Sequence, residues 1–425
     1  MTRFATNTDI TDSLQTLIDE RATAGGGEVL VPPGVFRFRR IELKSGVCLR
    51  LQAGARLLAS TRREDYIPIG YHHNEMGDVH SAIFALGARD VTLCGEGEID
   101  LGGLAFYRDR DPSDVPTVGP EISAEHIAQY PKTYDWRVNQ PVFFHECEHV
   151  RLDGLTFRNA SCWTITGNFC RDFKATNLTI DNDLTIPNSD GLHFCGSRDI
   201  LVRGCHITAG DDCVALSSIT DWSRPTENVV IGDCVFQSAS KALSIGYMHS
   251  IVRNVLVHDV IVKSSNRACV LMAHPHTGLI ENVRIHNCIL EGRSYAGNWW
   301  GNGEPLVVMA TPHHIDWYRD PMPADRFPAS VRNVTFAGLV CRAERPIAVV
   351  AAEPGLIANC ALRDSTVEII PEALPSLKGA AIDLAPGPEN LKITDPGAGV
   401  VTRNADLRLH NVTDPAGEAV REQRG

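Results

Sequence analysis

From Val150 to Cys341, apolar and polar residues alternate in short runs, and each run is interrupted at the same place by Gly, Asn or Asp. The runs read VRLDGLTF from Val150, FKATNLTI from Phe173, ILVRGCHI from Ile200, VVIGDCVF from Val229, VLVHDVIV from Val255, VRIHNCIL from Val283 and VTFAGLVC from Val334. Period-two alternation over stretches this short predicts strands, and almost no helical periodicity competes with it. The interrupting residues are Gly154, Asn177, Gly204, Asp233, Asp259, Asn287 and Gly338. These three residue types best tolerate a left-handed backbone, so the chain is expected to bend there between two strands. The apolar residues that follow the bends are Leu155, Leu178, Cys205, Cys234, Val260, Cys288 and Leu339. They recur at spacings of 23, 27, 29, 26, 28 and 51 residues, the last close to two repeats.

A unit of roughly 25 residues cannot bury its own apolar face and must stack on its neighbours to build a core. The expected fold is all-β, a single-domain right-handed parallel β-helix. Propeller blades need ~40 residues and tight hairpins, which the short period disfavours. At the N-terminus, Leu14, Leu17 and Ile18 share one face of a helix predicted over Thr11 to Ala24, with Gly25 to Gly27 as its stop. This helix would cap the open end of the solenoid. The reading divides the chain into a cap at 1–27, coils at 28–365 and C-terminal coils with a tail at 366–425. Excursions from Asp109 to Asn139 and from Gly292 to Pro328 are too long for simple turns, and loops of that size often carry function.

Composition narrows the partners. The 425 residues are 43% apolar, 7% aromatic and 22% charged, with a formal charge of −12. That balance argues against nucleic acid or an anionic membrane as a partner. No apolar stretch approaches the ~20 residues of a membrane-spanning helix. Residues Met1 to Asp12 lack a secretory pattern, so a cytoplasmic location is expected. Thirteen cysteines, odd in number and spread from Cys48 to Cys360, draw neither a disulfide framework nor paired metal knuckles. They read as reduced thiols serving as small core residues, which also suits the low aromatic content.

Two acidic motifs lie one coil apart: Asn188-Ser189-Asp190-Gly191 and Gly210-Asp211-Asp212-Cys213. Asp190 and Asp212 are separated by 22 residues, which places them on adjacent strands at a rise of ~4.7–4.9 Å. Three carboxylates then converge on one patch. Like charges so close push their pKa values apart, leaving one group as acid and the others as bases. Hydrolysis of a glycosidic bond requires that division: one carboxylic acid protonates the leaving oxygen, and another carboxylate activates water or attacks carbon.

The ordered set NSDG, GDDCVAL and Ala242-Leu243-Ser244-Ile245-Gly246 resembles the polygalacturonases, glycoside hydrolase family 28. So do the stretches Gly154 to Asn159, Trp163 to Ile165 and Gly25 to Phe36. The resemblance covers most of residues 1–345 and implies a right-handed β-helix and hydrolysis with inversion. It implies Asp211 as general acid, Asp190 and Asp212 as the groups that activate water, and Asn188 as an orienting amide. Two motifs depart from the family. Lys241 stands where polygalacturonases carry the histidine of Gly-His-Gly, and Val270 and Met272 stand at the basic positions of Arg-Ile-Lys. Those basic residues bind the galacturonate carboxylate in the family. The cleavage subsite is therefore expected to take a neutral sugar, or to read an acid through Lys241 or Arg267. In the second excursion, Trp300 and Glu304 of the Trp299 to Glu304 stretch are candidates for stacking on and hydrogen-bonding a sugar.

His274, His276, His313 and His314 complete no recognised zinc set, so neither a metal nor another cofactor is expected. The sequence thus points to an exo-acting inverting hydrolase of plant- or microbe-derived oligosaccharides. Two alternatives stand beside it. One is a polysaccharide lyase with Lys241 or Arg267 as base and calcium in the acidic cluster. The other is a non-catalytic glycan-binding solenoid.

Overall fold

The structure is a computed structural model that describes residues 4–109, 111, 132–295, 300–313, 324–374, 379–387 and 390–425. The seven interrupting residues all adopt positive φ, from 53° at Asp259 to 77° at Gly154. Each joins two short strands that pair in parallel with their counterparts on neighbouring coils, as Gly204 joins Arg198–Arg203 to His206–Ala209. The bend is a left-handed residue because a tight corner between two extended segments needs one. The strands on either side of it stack coil on coil into one 22-stranded sheet that folds around the corner. A second, 12-stranded parallel sheet closes the solenoid and runs from Ile41–Glu42 to Glu422–Arg424. The fold is the expected right-handed parallel β-helix.

Leu155, Leu178, Cys205, Cys234, Val260, Cys288 and Leu339 stack inside the corner and are buried. All thirteen cysteines are free, and Cys48 alone is half-exposed. The 51-residue interval before Leu339 is not two repeats. Strand Leu279–His286 pairs directly with Val331–Ala337, so a single coil carries the whole second excursion. The division drawn at 365/366 falls inside the strand Ile357–Ile369, and parallel pairing continues to Arg424.

Helix α1 (Thr11–Thr23) buries Leu14 and Ile18 against the first coil. Gly25, Gly26 and Gly27 follow it with φ of 92°, 118° and 142°. A Cβ on Gly26 would meet the Gly46 carbonyl oxygen at 2.6 Å, so only glycine lets the chain turn into the first strand there.

A second row of left-handed residues escapes the sequence reading. Asn228, Asn254, Asn282, Asn333 and Asn359 interrupt their strands at positive φ. Each of the last four donates its side-chain amide to the asparagine one coil earlier, at 2.8–3.2 Å. Asn228 closes the row on Asp199 at 3.0 Å.

Because each coil's core is continuous with the next, a cavity at one rung is felt across the stack. Phe336→Ala, at a fully buried position, is expected to lower unfolding free energy by about 3–5 kcal/mol, measured by denaturant titration.

Candidate active site

On the 12-stranded sheet, side chains alternate between core and outer surface. The outward row runs in register through Phe84, Phe143, Thr166, His193, Ala215, Ser244, Val270, Val307, Ala348 and Val401. A second row lies two residues ahead of the first core residue of each strand. Asp190 precedes Leu192, Asp212 precedes Val214 and Lys241 precedes Leu243, and those core residues are paired in register. Lys241 then pairs with Arg267, and Arg267 with Glu304. The pair Asp190 and Asp212 and three residues read separately from them are thus one row across the sheet.

The first three members open on a cavity of about 380 Å³, at the small end of ligand pockets (~300–1,000 Å³). The Lys241 ammonium lies 3.2 Å from Asp211 Oδ1 and 2.9 Å from Asp212 Oδ1. Asn188 donates to Asp211 Oδ2 at 3.4 Å. All four aspartate and lysine side chains are buried, so their charges interact strongly. Burial, with Asp211 and Asp212 adding repulsion, raises the Asp190 carboxyl well above its ordinary value. Burial also raises Asp212, to about 7, against the pull of Lys241. For Lys241, burial would favour the neutral amine, but Asp211 and Asp212 outweigh it and hold the ammonium charged.

Sequence reasoning missed several walls of this cavity. Arg137 lines it and donates through Nη2 to Asn188 Oδ1 at 2.8 Å, which fixes which end of that amide faces Asp211. Its Nη1 serves Tyr107 at 2.7 Å and the Pro187 carbonyl at 2.9 Å. His193 bonds Asp190 and lies flat on Trp163, with ring centres 3.6 Å apart. The strand pattern Leu192-His193-Phe194 holds the signal for it, a polar residue between two core positions and so outward beside Asp190. Arg137 had no such signal, since it acts from a loop outside the repeat. Trp300 lines the cavity: its ring centre is 4.2 Å from Lys241 Nζ and it stacks on Tyr247 at 5.8 Å. Trp299 and His314 lie outside the described residues.

Arg267 and Glu304 do not reach the cavity. They are fully buried under the C-terminal segment, where Arg267 faces Glu304 and Asp383 at 3.6 Å each. Asp383 also accepts from the Gly301 backbone N–H at 2.6 Å, tying the Trp300 loop to this segment. Val270 and Met272 pack beneath the same segment with Val307, Met309, Ile382 and Leu384. Their apolar character answers that packing and says nothing about the sugar. His274 and His276 diverge, His274 to Thr277 at 3.0 Å and His276 to Glu353 at 2.7 Å.

Residues 132–297 match the glycosyl hydrolases of family 28. A probable polygalacturonase of Arabidopsis thaliana is 29% identical over 301 residues, 69% of this chain and 54% of its own length. A second Arabidopsis polygalacturonase is 24% identical over 214 residues, 49% of this chain and 44% of its own. The chain spans about half the length of the curated relatives it matches. Among solved structures, an exopolygalacturonase from Thermotoga maritima superposes with a TM-score of 0.65 at 18% identity, covering 96% of this chain and 89% of that one. A polygalacturonase from Erwinia carotovora gives 0.59 at 17%, covering 100% and 98%. At those identities the superpositions speak for the fold alone.

Lys241→Met tests the charge balance. Asp212 moves from an ordinary 3.8 to about 7 in the fold, so ionising it already costs stability as pH rises through that window. Without the ammonium the cost grows, by about 3–5 kcal/mol once Asp212 is ionised. The variant's Tm should therefore approach wild type at acidic pH and fall progressively below it as pH rises. A gap independent of pH would show that Lys241 does not set the balance.

Proposed function

We propose, from the match of residues 132–297 to the family 28 hydrolases, that this polygalacturonase-like chain is an inverting, exo-acting glycoside hydrolase. Its substrates are oligosaccharides from plant or microbial polysaccharide, with a neutral sugar in the cavity. The observation that carries exo action is the covering of the outward row on both flanks. On one side Ile69, Tyr71 and Val79 pack over Phe84 and Phe143. On the other, Ile382, Leu384 and Leu391 pack over Val270, Val307 and Ala348. Between them the rungs of His193, Ala215 and Ser244 face the cavity. A polymer lying along the sheet would collide with both covers, whereas a chain end fits between them.

Charge supports a neutral sugar. Glu75, Asp190, Asp211 and Asp212 line the cavity against Lys241 and Arg137. Both cations are engaged, Lys241 by two aspartates and Arg137 by Asn188, Tyr107 and Pro187. A sugar carboxylate would meet four carboxyl groups there, with both cations already engaged. Trp163, Tyr247 and Trp300 add aromatic side chains to the wall, of the kind that pack against the C–H surface of a sugar.

Asp211 gives its proton to the glycosidic oxygen as the bond from that oxygen to the anomeric carbon breaks. Water bonds to that carbon from the opposite face and yields its proton to Asp190 or Asp212. Asp190 Oδ1, buried and without a hydrogen bond among the described residues, is the oxygen left to receive it. The products are a sugar of inverted configuration and a shortened chain with a free hydroxyl. Asp211 ends ionised and the base protonated, and exchange with solvent restores both. The lyase reading needs an uncharged base. Lys241 is held protonated by the neighbouring aspartates, Asp212 lying nearest at 2.9 Å, and Arg267 is off the cavity.

Neutral and acidic aryl glycosides and oligosaccharides, sampled over time, provide the test. A single monosaccharide from the first time point is expected, with the inverted anomer formed first by proton NMR. Asp211→Asn should slow the reaction at least ~10²-fold. Early mid-chain fragments would refute exo action, and turnover of galacturonides alone would refute the neutral sugar. Full activity in Asp211→Asn would remove it as the acid.

A further inference from the structure

The strand that follows Asp190, Leu192–Cys195, carries His193 on its outward face. His193 Nδ1 lies 2.8 Å from Asp190 Oδ2, and Nε2 lies 3.1 Å from Ser217 Oγ on the next coil. The ring is buried and lies flat on Trp163, tilted by 21°. It therefore has one orientation, set by stacking on one face and by a polar partner at each nitrogen. Asp190 spends Oδ2 on this ring while Oδ1 stays without a hydrogen bond among the described residues.

We propose that His193 is a positioning residue for Asp190: the Ser217 hydroxyl donates to Nε2, which fixes the Nδ1–H tautomer, and Nδ1–H donates to Asp190 Oδ2. The contact turns Oδ1 toward the sugar and favours the carboxylate over the acid. This rests on the reading of Asp190 as a base in the proposed hydrolysis.

A base at this position needs such a donor. Burial and the charges of Asp211 and Asp212 oppose ionisation of Asp190, and Lys241 opposes them in turn. Burial, with His73 and Lys241 nearby, keeps the His193 ring itself neutral. His73 is neutral too, its burial lowering it to about 3. The thiols of Cys195, 3.4 Å from Ser217 Oγ, and of Cys162 are raised by burial and carry no charge. Glu75 is the remaining carboxylate of the cavity wall. The ring thus supplies a hydrogen bond rather than a charge. The arrangement inverts the usual triad logic, in which the carboxylate orients the imidazole.

The test compares His193→Phe, His193→Asn and Ser217→Ala. Asn can place an amide N–H where Nδ1–H stood, and Phe keeps the stack on Trp163 without a donor. The first readout is the pH profile of kcat/KM on the best substrate. The second is the infrared C=O band of the protonated carboxyl in substrate-free protein, assigned by its loss in Asp190→Asn. In His193→Phe the acidic limb and the band should both move to higher pH by about one unit, a tenfold change in proton affinity. Ser217→Ala should move them less in the same direction, and His193→Asn should restore them. An unmoved band in His193→Phe, or one that moves to lower pH because Asp190 had been the donor, overturns the proposal. The infrared titration needs no turnover, so it decides the role of His193 even if no glycoside is hydrolysed, an outcome that would count against the proposed function alone.

Discussion

Register is the constraint on which the rest of this protein depends. Parallel strands step by ~4.7–4.9 Å per coil, and one left-handed residue per corner keeps successive coils in phase. Residues separated by a coil's length in sequence then become neighbours in space. The in-phase corners stack small apolar side chains, which is why cysteine serves at Cys205, Cys234 and Cys288. The same phasing places Asp190, Asp212, Lys241, Arg267 and Glu304 in a single row.

That row shows how one structural position acquires different chemistry. At three consecutive rungs, two carboxylates and an ammonium face a cavity, and Asp211 joins them from the turn. Buried carboxylates would not be held so close without a cation, since each ionised group in a low-dielectric site raises the cost of the next. Lys241 offsets that cost by bridging Asp211 and Asp212. One and two rungs further, Arg267 and Glu304 meet Asp383 in a buried network that holds down the C-terminal segment. Charged residues that line a cavity at one end of the row serve closure where the row is covered.

The covers turn a groove into a pocket. A bare parallel β-helix offers a long outward surface, suited to a polymer along its length. Here hydrophobic packing seals that surface on both flanks, with Tyr71 and Val79 at one end and Ile382 and Leu384 at the other. The cavity that remains is bounded by side chains from distant parts of the chain, among them Met76, Arg137, His193 and Trp300. Shape is set by segments outside the repeat, and the reactive groups by the repeat itself.

The solenoid and the carboxylate cluster were legible in the sequence because both are periodic. Alternation, the bend residues and the one-coil separation of Asp190 and Asp212 are spacings, and a spacing survives projection onto one dimension. Arg137 and the cover over Val270 and Met272 were not legible, because they join residues far apart in the chain through contacts that no period announces. For that reason Arg267 and Glu304 read as sugar ligands and proved to be buried. Val270 and Met272 likewise read as evidence of a neutral subsite, though they pack against the protein's own C-terminal segment. By itself the sequence determined the coil, its core and the acids on adjacent rungs. Only the tertiary structure decided which rungs face the cavity, because burial depends on what the rest of the chain lays across the sheet.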